Sequence, residues 1–337
     1  MTAVVDTAEV VLGPDPRTAY REALTELAAE DPRVICLDSD TGGLEDTFAK
    51  QFPDQYVNIG IAEANLMTVA AGLASRGFIP YVHTMATFAT MRAAEFLKLD
   101  VVGNRLPVRV IATHGGLSAA HFGTTHFALE DLAVARALAE LAVVVPGDGR
   151  QIGAATRQLH DLPGPAYLRL GRSATPVPPG PAPDFHLGRA RVLRDGTDVT
   201  IVATGPLPLL FALEAAEDLA GDGVAAQVLE LHTLHPLDRD GLLTGCRGRA
   251  GVVTVEEHRP QGGMGDAVAE VVSADLAVPM RRLAVRGTPG GRVASQRDAL
   301  AAHGVSTAAV VDAARELLAH DQNQRPARHG AAATRTR

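Results

Sequence analysis

Two doubly wound α/β domains with mostly parallel sheets are the fold class this sequence predicts. Short runs rich in Val, Ile and Leu alternate with longer Ala/Leu/Glu stretches of helical period, and the alternation occurs twice. Runs that stay apolar from end to end, spaced by helices, belong to parallel strands covered on both faces. Between the two series lies a Pro-rich stretch, ATPVPPGPAPDF (174–185), which sustains neither a helix nor a central strand. A length of 337 residues suits two domains.

In chain order, a flexible N-terminus (1–14) precedes a helix over 17–30 and a strand at VICL (34–37). A short extended segment, YVNIGI, then opens an apolar helix over 62–75. Strands follow at FIPYV (78–82), VRVIA (108–112), LAVVV (141–145) and AYLRL (166–170), with helices over 87–102, 129–138 and 150–160. These build a domain over 15–172, and the linker occupies 173–187. The second domain, 188–320, has strands at DVTIVATG (198–205), AAQVLEL (225–231), AGVVTVEE (250–257) and RRLAV (281–285). Its helices cover 206–220, 237–246, 265–275 and 307–319. The tail from 321 to 337 is polar without a period and is expected to be disordered.

Hydrophobic residues make up 46% of the chain and charged residues 21%, the balance of a soluble globular protein. A net charge of −8 argues against nucleic-acid or anionic-membrane surfaces, and the absence of tryptophan argues against stacking on single-stranded bases. No apolar run approaches the ~18 residues of a membrane-spanning helix, and the N-terminus lacks the pattern of a signal peptide. Cys36 and Cys246 are far apart and form no metal-like pair. A reducing, cytoplasmic setting is the simplest reading.

Functional groups in open parallel sheets gather at the carboxyl ends of strands. Glu63, in NIGIAEAN (58–65), opens a helix among apolar neighbours, with Asn58 and Asn65 as its polar company. It reads either as a first-turn carboxylate favoured by the helix dipole or as a semi-buried functional carboxyl. Of four histidines, His83, His114, His121 and His126, three lie in or beside loops that follow strands. Their spacing fits no compact zinc pattern, so no metal site is expected. They read as core histidines or as groups for proton transfer and anion binding. Arg169 and Arg172, in LRLGR (168–172), are surface ion-pair formers or phosphate clamps.

Two glycine clusters imitate nucleotide motifs. GGMGDAV (262–268) follows a strand and opens a helix, but Val268 occupies the third small position, so the fingerprint fails. PGDGR (146–150) contains a GDG, yet no Asn lies between Asn104 and Asn323 to complete a magnesium and diphosphate motif. This GDG is expected to be a turn.

The ordered segments NIGIAEAN, AAGLASRGFIPYVHTMATFATMRAAE, ATHGG, GTTHFALEDLAVARAL, VVVPGD and AYLRLGR resemble the C-terminal half of transketolase. VTIVATG, VLELHTLHPLD and VVTVEEHRPQGGMGDAVAE match the last domain of the same family, so the likeness runs from about residue 15 to about 318. It implies a pyrimidine-binding domain followed by the C-terminal domain, without the diphosphate-binding domain that carries GDG and its Asn. A separate large subunit, in an α2β2 assembly, is then expected to supply that domain. It would hold most of the ligands of Mg²⁺ (or Ca²⁺), while thiamine diphosphate lies between the subunits.

The resemblance makes Glu63 the cofactor-activating carboxylate. Bonded to N1′ of the aminopyrimidine, it favours the imino form that deprotonates the thiazolium. Phe88 matches the aromatic packed on the pyrimidine. Met85 stands where many relatives have another aromatic, and Met91 extends the same face. His114 and Arg172, with Arg17, match positions that hold a sugar phosphate. His126 matches the histidine of the family's Asp-Gly-Pro-Thr-His segment, which contacts the donor. This chain departs from that segment. It reads Phe122-Gly123-Thr124-Thr125-His126, and His121 replaces the usual acid. Leu44 stands in a loop where relatives often place a phosphate-binding Ser or Thr. The lost aspartate recognises a donor hydroxyl in the family, so an altered donor or acceptor is expected.

The leading expectation is ketol transfer from a ketose phosphate to an aldose or a specialised acceptor. A 1-deoxyxylulose-phosphate-synthase-like or 2-oxoacid dehydrogenase β-like subunit, and a non-catalytic regulatory partner, are the alternatives. The second domain is expected to be structural.

Overall fold

The structure is a computed structural model and describes residues 11–177, 184–287 and 295–324. The expected flexible N-terminus, Pro-rich linker and disordered tail fall partly on residues outside the described ones.

Among the described residues, twelve strands form two sheets. They are β1 Val34–Asp38, β2 Tyr56–Asn58, β3 Ile79–Met85, β4 Arg109–Thr113, β5 Ala142–Val144, β6 Ala166–Arg169, β7 Arg191–Arg194, β8 Val199–Thr204, β9 Ala226–Glu230, β10 Thr233–His235, β11 Val252–Glu256 and β12 Met280–Leu283. The first sheet runs β10-β5-β6-β4-β3-β1-β2 and the second β12-β11-β8-β9-β7. Only β10 on β5 and β7 on β9 pair antiparallel. Every residue of β1, β4, β8, β9 and β11 is buried, the condition that the unbroken apolar runs reflect. The doubly wound, mostly parallel architecture is the one the sequence predicts.

Helix boundaries follow local chemistry. Asp15 caps helix Pro16–Glu30, its Oδ1 accepting from the Arg17 and Thr18 amides at 3.0 Å, with Pro16 in the first turn. The helix expected over 87–102 is divided into Ala86–Met91, Ala94–Phe96 and a wide π-turn, Leu97–Val102. At the break the Phe88 carbonyl accepts from both Arg92 and Ala93, each at 3.2 Å, and the ladder loses its register.

Two short strands, β7 and β10, escape the apolar-run pattern. Both are edge strands, of four and three residues, too short for a period to show. The consequence of β10 is large, because the chain leaves β9 in the second sheet and adds β10 to the edge of the first. One apolar cluster accordingly joins Val143 and Tyr167 to Leu229 and Leu234. At the other end of the chain, helix Thr307–Gln324 continues past 321, where a disordered tail was expected. Extending an existing helix by one turn costs little even with polar residues. Residues 11–13 are also less free than expected, since Leu12 bridges Pro176 and the Gly13 amide donates to Thr175.

Candidate active site

The carboxyl ends of β3, β4 and β6 gather most of the residues singled out from the sequence. Glu63 begins helix Glu63–Ala74 and is only 4% exposed. It has a partner that the apolar sequence context did not foretell. Arg92 Nη1 donates to its Oε1 at 3.0 Å, and the same guanidinium lies 4.3 Å above the Phe88 ring. The only sequence signal for Arg92 is a lone cation in the run ATFATMRAAE, four residues beyond Phe88. Met85, half-buried, precedes helix Ala86–Met91, and Met91 at its end is 51% exposed. Ile61, just before Glu63, is 72% exposed. This mouth opens to solvent through apolar side chains.

From Phe88 a series of ring contacts leads outward. His126 meets Phe88 edge-on with centroids 5.4 Å apart, and Phe122 lies 4.9 Å from His126. Phe122 is the hub, because His121 at 3.9 Å and His114 at 6.3 Å also face it. The Arg172 guanidinium sits 5.9 Å from its centroid. Phe122 remains 48% exposed, an apolar face at the centre of basic groups.

His114, at the end of β4, is buried and takes a left-handed backbone with φ of 59°. Such a conformation costs roughly 1–3 kcal/mol in a non-glycine residue and is concentrated at functional sites. Burial, then Arg17 and Arg172, then His121 and His126 push its pKa down to about 4. His121 is shifted down as well, by desolvation and then by Arg172 and His126. Arg17 is lowered by burial, and its buried Nε has no hydrogen-bond partner among the described residues. Crowded basic groups that depress one another, one with an orphaned N–H, suit an anion.

The neutral state of His114 is testable. Its folded pKa lies below the ordinary 6.5, so its contribution to stability is complete above about 6.5 and is lost as pH falls toward about 4. Histidine NMR should find His114 neutral at about pH 6, and inorganic phosphate should move its titration upward. A His114 already charged at that pH, or indifferent to phosphate, contradicts this electrostatic account.

Other singled-out residues lie elsewhere. His83 is enclosed in the core, with Tyr20 Oη 2.7 Å from Nε2 and Leu37 O 3.1 Å from Nδ1. Burial takes its pKa down to about 4. Leu44 packs in the core with Tyr20 and Phe48, so it does not stand in for a phosphate ligand. Arg169 and Arg172, equivalent by sequence, are separated by the fold. Arg169 is buried and clamps Asp131 through Nε at 2.7 Å and Nη2 at 3.0 Å. Removing one partner of such a buried pair typically costs about 3–5 kcal/mol. The GDG segment is a turn, with Asp148 capping the short helix Gly149–Gln151.

GGMGDAV has a different answer. The helix it opens, Met264–Asp275, receives the buried carboxylate of Glu256, which accepts from Met264 N at 2.6 Å and Gly265 N at 2.9 Å. A Cβ at Gly263 would collide with that carboxylate. The glycines make room for an internal anion. Among the described residues no three His, Cys, Asp or Glu side chains converge as metal ligands, and no helix is long and apolar enough to cross a membrane.

Family models for the transketolase pyrimidine-binding domain and the transketolase C-terminal domain match residues 13–178 and 188–314. The chain belongs to the transketolase family. It is 38% identical to the 6-deoxy-6-sulfo-D-fructose transketolase subunit SqwH of Clostridium sp. (strain MSTE9), over 80% of this chain and 84% of that one. It is 35% identical to one of the subunits of the apulose-4-phosphate transketolase of Phocaeicola vulgatus, over 80% and 86%. A solved split-gene transketolase, described as an inactive beta4 tetramer, superposes with a TM-score of 0.82 at 40% identity. That match covers 91% of this chain and 99% of the other. The transketolase-family chain described here therefore corresponds to the C-terminal half of the family, the part carried by the small subunit of a split enzyme.

Proposed function

We propose that this chain is the small subunit of a two-component, thiamine-diphosphate-dependent transketolase. It would move a two-carbon ketol unit from an anionic ketose, such as a ketose phosphate, to an aldose or a specialised acceptor. The observation that carries this reading is the stack of Glu63, Arg92 and Phe88. A planar cation that donates an N–H to the carboxylate while lying on the aromatic ring imitates an aminopyrimidine, so these side chains fit the cofactor. Glu63, Phe88, Met85 and Met91 would hold its pyrimidine end, and the bound cofactor would supply carbon-nucleophile chemistry toward the donor carbonyl. Arg92, with its side chain 55% exposed, is free to swing away.

Each residue of this chain then has a defined task. Glu63 would share a proton with the pyrimidine ring nitrogen, donating it from the carboxyl group and accepting the bond back as a carboxylate. Phe88 holds the ring plane, with Met85 and Met91 as apolar flanks. Arg172 and Arg17 clamp the donor's anionic end, with His114 beside them as a neutral hydrogen-bonding group. His126, between Phe88 and Phe122, faces the reacting carbons and handles their hydroxyl protons. Phe122 offers no acceptor where relatives have an aspartate. A substrate hydroxyl buried against it would lose about 1–3 kcal/mol of hydrogen bonding. The favoured substrate therefore presents C–H to Phe122, with His121, its pKa lowered by desolvation and by Arg172 and His126, as a hydrogen-bonding group at the rim. The relatives named for a sulfo-deoxy sugar and for apulose 4-phosphate support a pathway outside ordinary pentose exchange.

A large subunit would provide the diphosphate and Mg²⁺ (or Ca²⁺) site in an α2β2 assembly, in the cytoplasm. Without the large subunit, the exposed apolar side chains of Ile61 and Met91 would favour self-association; the split-gene relative is described as an inactive beta4 tetramer.

The test is turnover by the chain co-purified with its large subunit, thiamine diphosphate and Mg²⁺, offered xylulose 5-phosphate, other ketose phosphates or pyruvate. Aldehyde release from a sugar phosphate, absent in Glu63→Gln, supports ketol transfer. Carbon dioxide from pyruvate would move the chain to the 2-oxoacid branch. Silence with every donor, and no effect of Glu63→Gln on the partner's activity, would favour a regulatory subunit.

A further inference from the structure

The segment carrying His121, Phe122 and His126 is a loop of the first domain that stands on the second. Gly116 and Ala128 close it by exchanging backbone hydrogen bonds of 3.0 and 2.9 Å. Between them its backbone bonds are internal, such as Ala120 N to Leu117 O at 2.9 Å and His126 N to Gly123 O at 3.2 Å, except that Ser118 N donates to Gly115 O at 3.3 Å just before the loop. Its apolar side chains Leu117, Ala120, Phe127 and Leu129 join the apolar cluster of the second domain, beside Val199 and Ile201.

Glu257 ties the two parts together. It follows β11 and is buried. Its Oε1 accepts from Leu117 N at 2.6 Å, while Gln296 Nε2 donates to both carboxylate oxygens at 2.9 and 2.8 Å. The Glu257 carbonyl accepts from Arg169 Nη2 at 3.1 Å, and the same nitrogen donates to Ala128 O at 2.8 Å. The Leu117 end of the loop thus hangs on a carboxylate of the other domain, and the Ala128 end on Arg169, which also holds Asp131 of the first domain and the backbone carbonyl of Glu257. Gly116 shows how close the approach is. Its φ is +65°, and a Cβ there would collide with the Glu257 carboxyl group.

We propose that Glu257 is a positioning residue: through Leu117 and Gln296 it sets the posture of the 116–128 loop, so that the second domain shapes the substrate site. The role of that loop in binding substrate rests on the function proposed above; the anchoring does not. A charged acceptor holding one buried N–H outweighs the neutral bonds inside the loop. Because those bonds are internal, the loop moves as a unit when its base is released.

Hydrogen–deuterium exchange on the full chain without substrate tests the anchor. Glu257→Ala is expected to accelerate exchange over 116–128 by about tenfold or more, leaving helix Thr307–Gln324 unchanged. Glu257→Gln keeps an oxygen for Leu117 N–H and should fall between Ala and wild type. Gln296→Ala leaves the carboxylate in place, should produce a smaller change in the same region, and serves if Glu257→Ala does not fold. Unchanged loop exchange overturns the proposal, as does acceleration spread evenly through the second domain. In the assembled enzyme, Glu257→Ala should raise the donor KM while leaving thiamine diphosphate affinity intact. Failure of the functional reading would look different, with wild type silent toward every donor and the exchange effect still present.

Discussion

Glu63→Gln is expected to leave the chain folded, able to join its large subunit and able to bind thiamine diphosphate, while kcat falls by about 10²–10⁴-fold. The amide keeps the shape of the buried side chain and one acceptor oxygen, so the mouth formed with Phe88 persists. It cannot share a proton with the pyrimidine, which is the step assigned to the carboxylate. Arg92 also loses its charged partner in the variant, and its ion pair of 3.0 Å becomes a weaker hydrogen bond. Cofactor binding, followed by the circular dichroism or fluorescence change on loading, should therefore change far less than turnover. A Glu63→Gln enzyme with near-normal kcat would remove the carboxylate from the mechanism.

Phe122→Asp is the second large expected effect, and it concerns substrate choice. The ring now stands among His114, His121, His126 and Arg172. Replacing it with a carboxylate restores a hydroxyl acceptor and provides ion-pair partners for the basic groups. Turnover of a hydroxylated donor such as xylulose 5-phosphate should rise by about 10–10²-fold in kcat/KM, with the native donor losing a comparable factor. The stacking lost with the ring is worth only about 0.5–1 kcal/mol at an exposed site, so folding should be little affected. If donor preference is the same in both proteins, residue 122 does not select the substrate. Selectivity must then come from His121 or from the large subunit.

How much of this was legible in the sequence varies from residue to residue. Glu63 stood out by its apolar neighbours, which left a first-turn carboxylate and a semi-buried functional carboxyl both open, and the family resemblance chose between them. The histidines and arginines after strands were visible as a group, since parallel-sheet topology sends such residues to one edge. Their division showed only in the family resemblance, which singled out His114 and Arg172. His83 and Arg169 satisfy the core, whereas His114 and Arg172 face the ring of Phe122. Residue chemistry alone does not tell the two arginines of LRLGR apart, because burial depends on Asp131 and Glu257, which are distant in sequence.

By itself the sequence determined the two α/β layers, the order of most strands and helices, the failure of both nucleotide-like glycine clusters and the membership of the family. All of these are local patterns, written in apolar period, turn chemistry and short motifs. Only the tertiary structure decided that β10 crosses into the first sheet, that Arg92 stacks on Phe88 while holding Glu63, and that Glu256 fills the helix start at GGMG. It also placed the loop of His121 and Phe122 on a carboxylate of the second domain. These are contacts between groups far apart along the chain. Their partners are chosen by packing and by the need to satisfy buried charge, neither of which leaves a periodic trace in sequence.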